Sequence, residues 1–223
     1  MNRTGASARL GFGVLWLLAS GCALLSKGTV VAPHYYSPEA QGSNNEVPAP
    51  VASTPLELRL GEVGAASHLE ERMSFRVRTS EVGYYDDRRW TEEPAEYLRR
   101  ALEQELFERR HVRRIVAGAA NTLDVELTAF EELRDPEPHV RLALRFTLHD
   151  DRQASLERSI VVERPLSAAA DPAAEVASAL GAALTIAVNK VSNAVIAALP
   201  ATEATPCVNT EPPSATASAP VRH

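Results

Sequence analysis

The chain has 223 residues, with 23 Lys and Arg against 29 Asp and Glu, and a formal charge of −6. An acidic surface argues against sequence-independent nucleic-acid binding, which depends on cationic side chains neutralising phosphates. The two cysteines, Cys22 and Cys207, cannot build a disulfide framework of the kind that staples small exported domains, so stability must come from a packed core.

At the amino terminus, Arg3 and Arg9 precede an uncharged run from Leu10 to Leu18, followed by Ala19, Ser20, Gly21 and Cys22. The run is too short for a bilayer, which needs about 20 apolar residues, but suits the h-region of a secretory signal. Leu18-Ala19-Ser20-Gly21-Cys22 resembles the bacterial lipobox, in which small residues admit the signal peptidase and the cysteine sulfur accepts a diacylglycerol. Ala19 stands where that motif usually has Leu, and the competing reading is an ordinary secretory signal beside a chance cysteine. Residues 1–21 are thus expected to be a signal peptide and Cys22 the lipidation site. Cleavage removes two arginines and no acid, taking the formal charge to −8. In a two-membrane cell, Ala23 after the cysteine favours the outer membrane, by resemblance to known sorting signals.

Residues 22–54 carry the lipid and, being rich in Pro, Ser, Asn and Gly without hydrophobic periodicity, read as a flexible tether. Residues 201–223, a Pro, Ala, Ser and Thr tail, cannot bury enough apolar surface to fold alone and are expected to be disordered. The segment between, residues 55–200, has the size of one ordinary domain.

Period-two alternation predicts strands at Leu56–Leu60 and Met73–Arg78, then at Leu123–Ala129, Val140–Leu148 and Ser155–Glu163. Leu123, Val125, Leu127 and Ala129 are read as one face, and Asp135-Pro136-Glu137-Pro138 as the turn after it. The first helix begins near Thr91 or Glu93, either of which can cap it, tolerates Pro94 in its opening turn and carries the stripe Leu98, Ala101, Leu102, Leu106. The second has Asp171 as cap and Pro172 in first position, with Val176, Leu180, Leu184, Ala187, Val191, Val195 and Leu199 spaced by three and four. Its apolar length would suit a membrane span, but Ser178, Thr185, Asn189, Lys190, Ser192 and Asn193 make insertion costly. A largely buried helix is the better reading. The expected class is α+β, an antiparallel or mixed sheet with two helices packed on one face.

Met73-Ser74-Phe75-Arg76-Val77-Arg78, then Glu81-Val82-Gly83-Tyr84-Tyr85, then Arg89-Trp90 with Pro94 opening a helix, resembles the ABC-type transport auxiliary lipoproteins, which accompany MCE-type lipid transport systems. The family often carries Tyr where this chain has Phe75, and the Pro-rich tail lies outside its pattern. The resemblance implies a non-enzymatic envelope protein that docks onto an MCE-domain protein and its ABC permease and ATPase, held to the membrane by its N-terminal lipid. It leaves homo-oligomerisation open. A lipoprotein serving another envelope machine, such as a cell-wall synthase or an outer-membrane assembly complex, is the alternative.

Tyr84, Tyr85 and Trp90 are candidates for an aromatic partner contact, although Trp90 also suits a plug between sheet and first helix. Arg109, Arg110, Arg113 and Arg114 could meet anionic headgroups, but a solvated helix end accounts for them as well. The six histidines show no zinc-ligand spacing, and neither a Gly-x-Ser-x-Gly elbow nor a Walker lysine occurs. Catalytic residues, metal and cofactor are therefore expected to be none.

Overall fold

The computed structural model describes residues 31–38, 56–78, 80–167, 169 and 171–199. Eight strands and two helices occur among them: β1 (His34–Tyr36), β2 (Glu57–Ala65), β3 (Arg72–Arg78), β4 (Glu81–Trp90), α1 (Pro94–Glu103), β5 (Arg113–Arg114), β6 (Thr122–Leu133), β7 (His139–His149), β8 (Ala154–Pro165) and α2 (Pro172–Ala198). A π-helical segment, Gln104–Arg109, continues α1. The class is α+β, as the alternation implied.

The long hairpin β6–β7 is the spine. Its strands run antiparallel from Thr122 opposite His149 to Leu133 opposite His139. Leu123, Val125 and Leu127 join Val140, Leu142, Leu144, Phe146 and Leu148 on one face, all nearly without exposure, because side chains two apart on a strand share a side. A register shift between Leu127 and Ala129 corrects the predicted stripe. Past it, Phe130 lies beside Leu142 on the core face, while Ala129 pairs with Ala143 on the opposite one. An extra residue in one strand inverts the pleat beyond it.

Strands β2 and β3 both run parallel to β6, β2 along Thr122–Leu127 and β3 along Glu131–Leu133, so they lie end to end on its flank. Strand β4 returns antiparallel to β3, β1 adds parallel to β4, β5 adds parallel to β2, and β8 lies outside β7. Three of these strands depart from expectation. Alternation predicts no strand at β4 or β5, and within residues 22–54, read as a tether, His34–Tyr36 is a docked strand, which corrects that reading for these three residues.

Both helices cover the apolar face. In α1, Leu98 and Leu102 point inward and Leu106 continues the line through the π-helical segment. Its start is secured differently from the expected side-chain cap, since neither Glu93 nor any neighbour caps it that way. Instead the Tyr97 hydroxyl accepts the Glu92 amide at 3.0 Å and shares a hydrogen bond with Thr91 Oγ1 at 2.7 Å. In α2 the expected cap is present, with Asp171 Oδ1 accepting the amides of Ala173 and Ala174 at 3.0 and 3.2 Å. This helix is long and apolar enough to cross a membrane by length and composition. It lies on β7 and β8, with Val176, Leu180, Ala183, Leu184, Ala187, Val191 and Val195 buried. Each large aliphatic side chain so buried contributes roughly 1.5–3 kcal/mol.

Candidate functional site

The residues carrying the family resemblance fold against one another. Phe75 of β3 sits opposite Gly83 of β4, where a Cβ would come within 2.5 Å of the Phe75 ring. Glycine there leaves the strand surface bare for the ring. Tyr85 meets the edge of Phe75 with centroids 5.1 Å apart and planes at 64°. The Arg134 guanidinium, arriving from just past β6, lies 3.6 Å from the Phe75 centroid and 4.8 Å from that of Tyr85, while Arg88 covers Tyr85 at 4.1 Å. The Tyr85 hydroxyl donates to Glu132 Oε2, whose other oxygen is 3.6 Å from Arg134 Nε. Desolvation by burial pushes the Tyr85 pKa up, the bond to Glu132 adds to this, and Arg134 opposes it. The result is a half-buried platform of two rings and two guanidiniums, with Glu132 between Tyr85 and Arg134.

Tyr84, next along the extended chain, leaves the opposite side of β4. It stands across from Ser74, its hydroxyl donates to the His68 carbonyl at 3.1 Å, and Arg72 covers its ring at 5.1 Å. Trp90 is only 1% exposed. Its ring packs on Phe130 at 5.2 Å and Tyr97 at 6.4 Å, filling the junction where β4 passes into α1. The three aromatic candidates therefore do not form one surface, and a partner cannot touch the Trp90 ring. Cys22 lies outside the described residues, as do Cys207 and the tail.

The four arginines of the basic run are paired with three glutamates. Arg109 and Arg110 reach the buried Glu105 at 3.3 and 2.8 Å, Arg113 reaches Glu57 at 3.2 Å and Arg114 reaches Glu103 at 2.9 Å. Such pairing leaves one net positive charge among these seven side chains to draw anionic headgroups. Arg113 and Arg114 form β5 and belong to the sheet instead of a helix end.

On the helix-free face, a groove of about 300 Å³ is lined by Glu62, Gly64, Asp124, Glu126, Arg145 and Thr147. A Cβ at Gly61 would run into the Asp124 carboxylate, which instead closes over β2 and accepts the Glu62 amide at 2.7 Å. Asp124 also lies 3.0 Å from His149 Nε2. The His149 pKa is raised, chiefly by the Asp150 carbonyl and next by Asp124. The groove is open and mixed in charge, and among the described residues no group of three His, Cys, Asp or Glu could hold a metal ion. Sequence pattern alone does not single out Arg88, Glu132 or Arg134 as parts of a site. The last two lie more than 45 residues from Tyr85 in sequence, and only the β3–β6 pairing brings them near.

Residues 41–195 match the family model for the ABC-type transport auxiliary lipoprotein component. A crystal structure of a Xanthomonas campestris protein of the DUF330 family superposes with a TM-score of 0.61 at 20% identity, covering 71% of this chain and 92% of that one. An uncharacterized protein of known structure superposes with a TM-score of 0.57 at 15% identity, over 74% of this chain and 99% of the other. At these identities the likeness is one of fold. No curated protein matches the sequence.

Proposed function

The chain belongs to the family of ABC-type transport auxiliary lipoprotein components, and from that membership we propose that it is a lipid-anchored, non-enzymatic accessory subunit of an MCE-type system moving lipid between membranes. The observation that carries this reading is the family match over residues 41–195, which takes in β2 to β8 and most of α2. Two features support its finer parts. The Phe75-to-Pro94 segment resembles the lipoproteins accompanying MCE systems, and Phe75, Gly83 and Tyr85 from it build one face of the β3–β4 platform. In this reading lipid on Cys22 anchors the protein, and in a two-membrane cell Ala23 favours the periplasmic face of the outer membrane, by resemblance to known sorting signals. Its work is protein contact, with an MCE-domain protein, its permease and its ATPase as the assembly it joins.

Affinity purification of the full-length protein from crosslinked membranes, followed by mass spectrometry, tests this. Recovery of an MCE-domain protein with its permease and ATPase is the expected result. Recovery of cell-wall synthesis or outer-membrane assembly proteins in their place would overturn the MCE assignment in favour of another envelope machine.

A further inference from the structure

Strand β1 is where the segment following Cys22 first joins the sheet. Nine residues lead from Cys22 to Val31, and a chain of that length reaches at most about 32 Å when fully extended. It then enters β1, where His34, Tyr35 and Tyr36 lie in register with Arg88, Arg89 and Trp90 of β4. This strand is outermost at one end of the sheet, and β8 is outermost at the other. Along β1–β4–β3–β6–β7–β8, five interstrand steps of about 4.8 Å separate the two edges by roughly 24 Å. The full reach of the segment leading from Cys22 exceeds the distance to β8, so the side chains each edge presents decide which one meets the bilayer; the segment itself joins the sheet at the β1 edge.

The surface at that edge has the composition of a headgroup interface. Val31 and Tyr35 are each 61% exposed, and only Val116 and Val161 join them as exposed large hydrophobic residues among those described. Tyrosine suits the boundary between hydrocarbon and water because its ring is apolar and its hydroxyl is wet. Nearby charges are largely balanced. Arg72 pairs with Asp86 at 3.4 Å, Arg88 lies 4.0 Å from Asp87, and Arg89 is turned to the carbonyls of Tyr85 and Arg88 at 3.0 Å. Attraction here depends on the rings and the valine more than on charge.

We infer that the β1 edge rests on the phospholipid surface of the membrane holding the anchor, with Val31 and Tyr35 in the headgroup layer and the β8 edge turned away from it. The inference rests on the lipid-anchored reading above and adds an orientation to it. For the test, the full-length acylated protein carries Cys207→Ser, and its Cys22 sulfur is already consumed as a thioether. Tyr35→Cys, Val31→Cys and Val161→Cys versions are each labelled with a fluorophore and reconstituted into phosphatidylethanolamine–phosphatidylglycerol vesicles whose acyl chains are brominated near the headgroup. All three positions are exposed, so labelling leaves the core untouched. The proteins should float with the vesicles, and bromine should quench labels at 31 and 35 several-fold more strongly than the label at 161. Flotation with equal quenching at all three positions would overturn the orientation alone, and so would protection of positions 31 and 35 from water without quenching, which signals a protein contact. Failure to float would overturn the anchored reading and the orientation together.

Discussion

Trp90 shows how one side chain's surroundings decide between a contact and a core role. With 1% of its surface exposed and Phe130 and Tyr97 against its ring, Trp90→Ala should lower stability by about 3–5 kcal/mol, read as a shifted denaturant midpoint at unchanged slope. An unchanged midpoint with lost partner binding would return the ring to the surface. Glu131 raises the opposite question, because it is a carboxylate with 1% of its side chain exposed. Arg76 Nε and Nη2 donate to its two oxygens at 2.8 and 3.2 Å, so Arg76→Met strands a buried charge and should cost about 3–5 kcal/mol. The double variant Arg76→Met, Glu131→Leu should recover much of that loss, and a cycle showing no coupling would contradict the pairing. The His149 pKa is raised above 6.5, first by the Asp150 carbonyl and then by Asp124. Its contribution to stability is thus fully present below the unfolded pKa and lost as pH rises through the folded one. Asp124→Asn should move the His149 imidazole titration, followed by NMR, downward. An unmoved curve would mean that Asp124 does not hold the ring in solution.

At the scale of elements, the helices and β7 are legible because each shows a single period with a clear boundary, whereas β6 is legible only up to its register shift after Leu127. Asp171-Pro172 is both cap and first turn, and Asp171→Ala should cost α2 about 1 kcal/mol, measured as a fall in melting temperature that Asp171→Ser largely restores. Strand β4 was hidden for a physical reason. Advancing from Arg72 to Ser74 on β3 crosses from Arg89 to Tyr84 on β4, so the strand bulges and shows no simple alternation between Glu81 and Trp90. Strand β1 was hidden by its setting, three residues among Pro, Ser and Asn with only Tyr36 turned toward the core. The platform was half legible. The local run supplied Phe75, Gly83 and Tyr85, whereas Glu132 and Arg134 arrive through the parallel pairing of β3 with β6, a nonlocal contact that no periodicity reveals.

For the whole molecule, the issue is which attachment governs its location. Two exposed side chains at the β1 edge, Val31 and Tyr35, can orient a domain already tethered, but they offer far less apolar area than several acyl chains at about 0.8 kcal/mol per buried methylene. Cys22→Ser should accordingly release the protein into the soluble fraction, provided an ordinary cleavable secretory signal replaces residues 1–21 so that no uncleaved h-region holds it. The fold should survive, because β1 to α2 begin beyond that residue, and the far-ultraviolet dichroism and melting temperature should match those of the acylated protein in detergent. Retention of the processed Cys22→Ser protein on membranes stripped of peripheral partners would show that the β1 edge binds lipid more strongly than its area suggests. Retention only while partners are present would assign the grip to protein contact. Release with the fold intact would leave the acyl chains to set location and the β1 edge to set orientation alone.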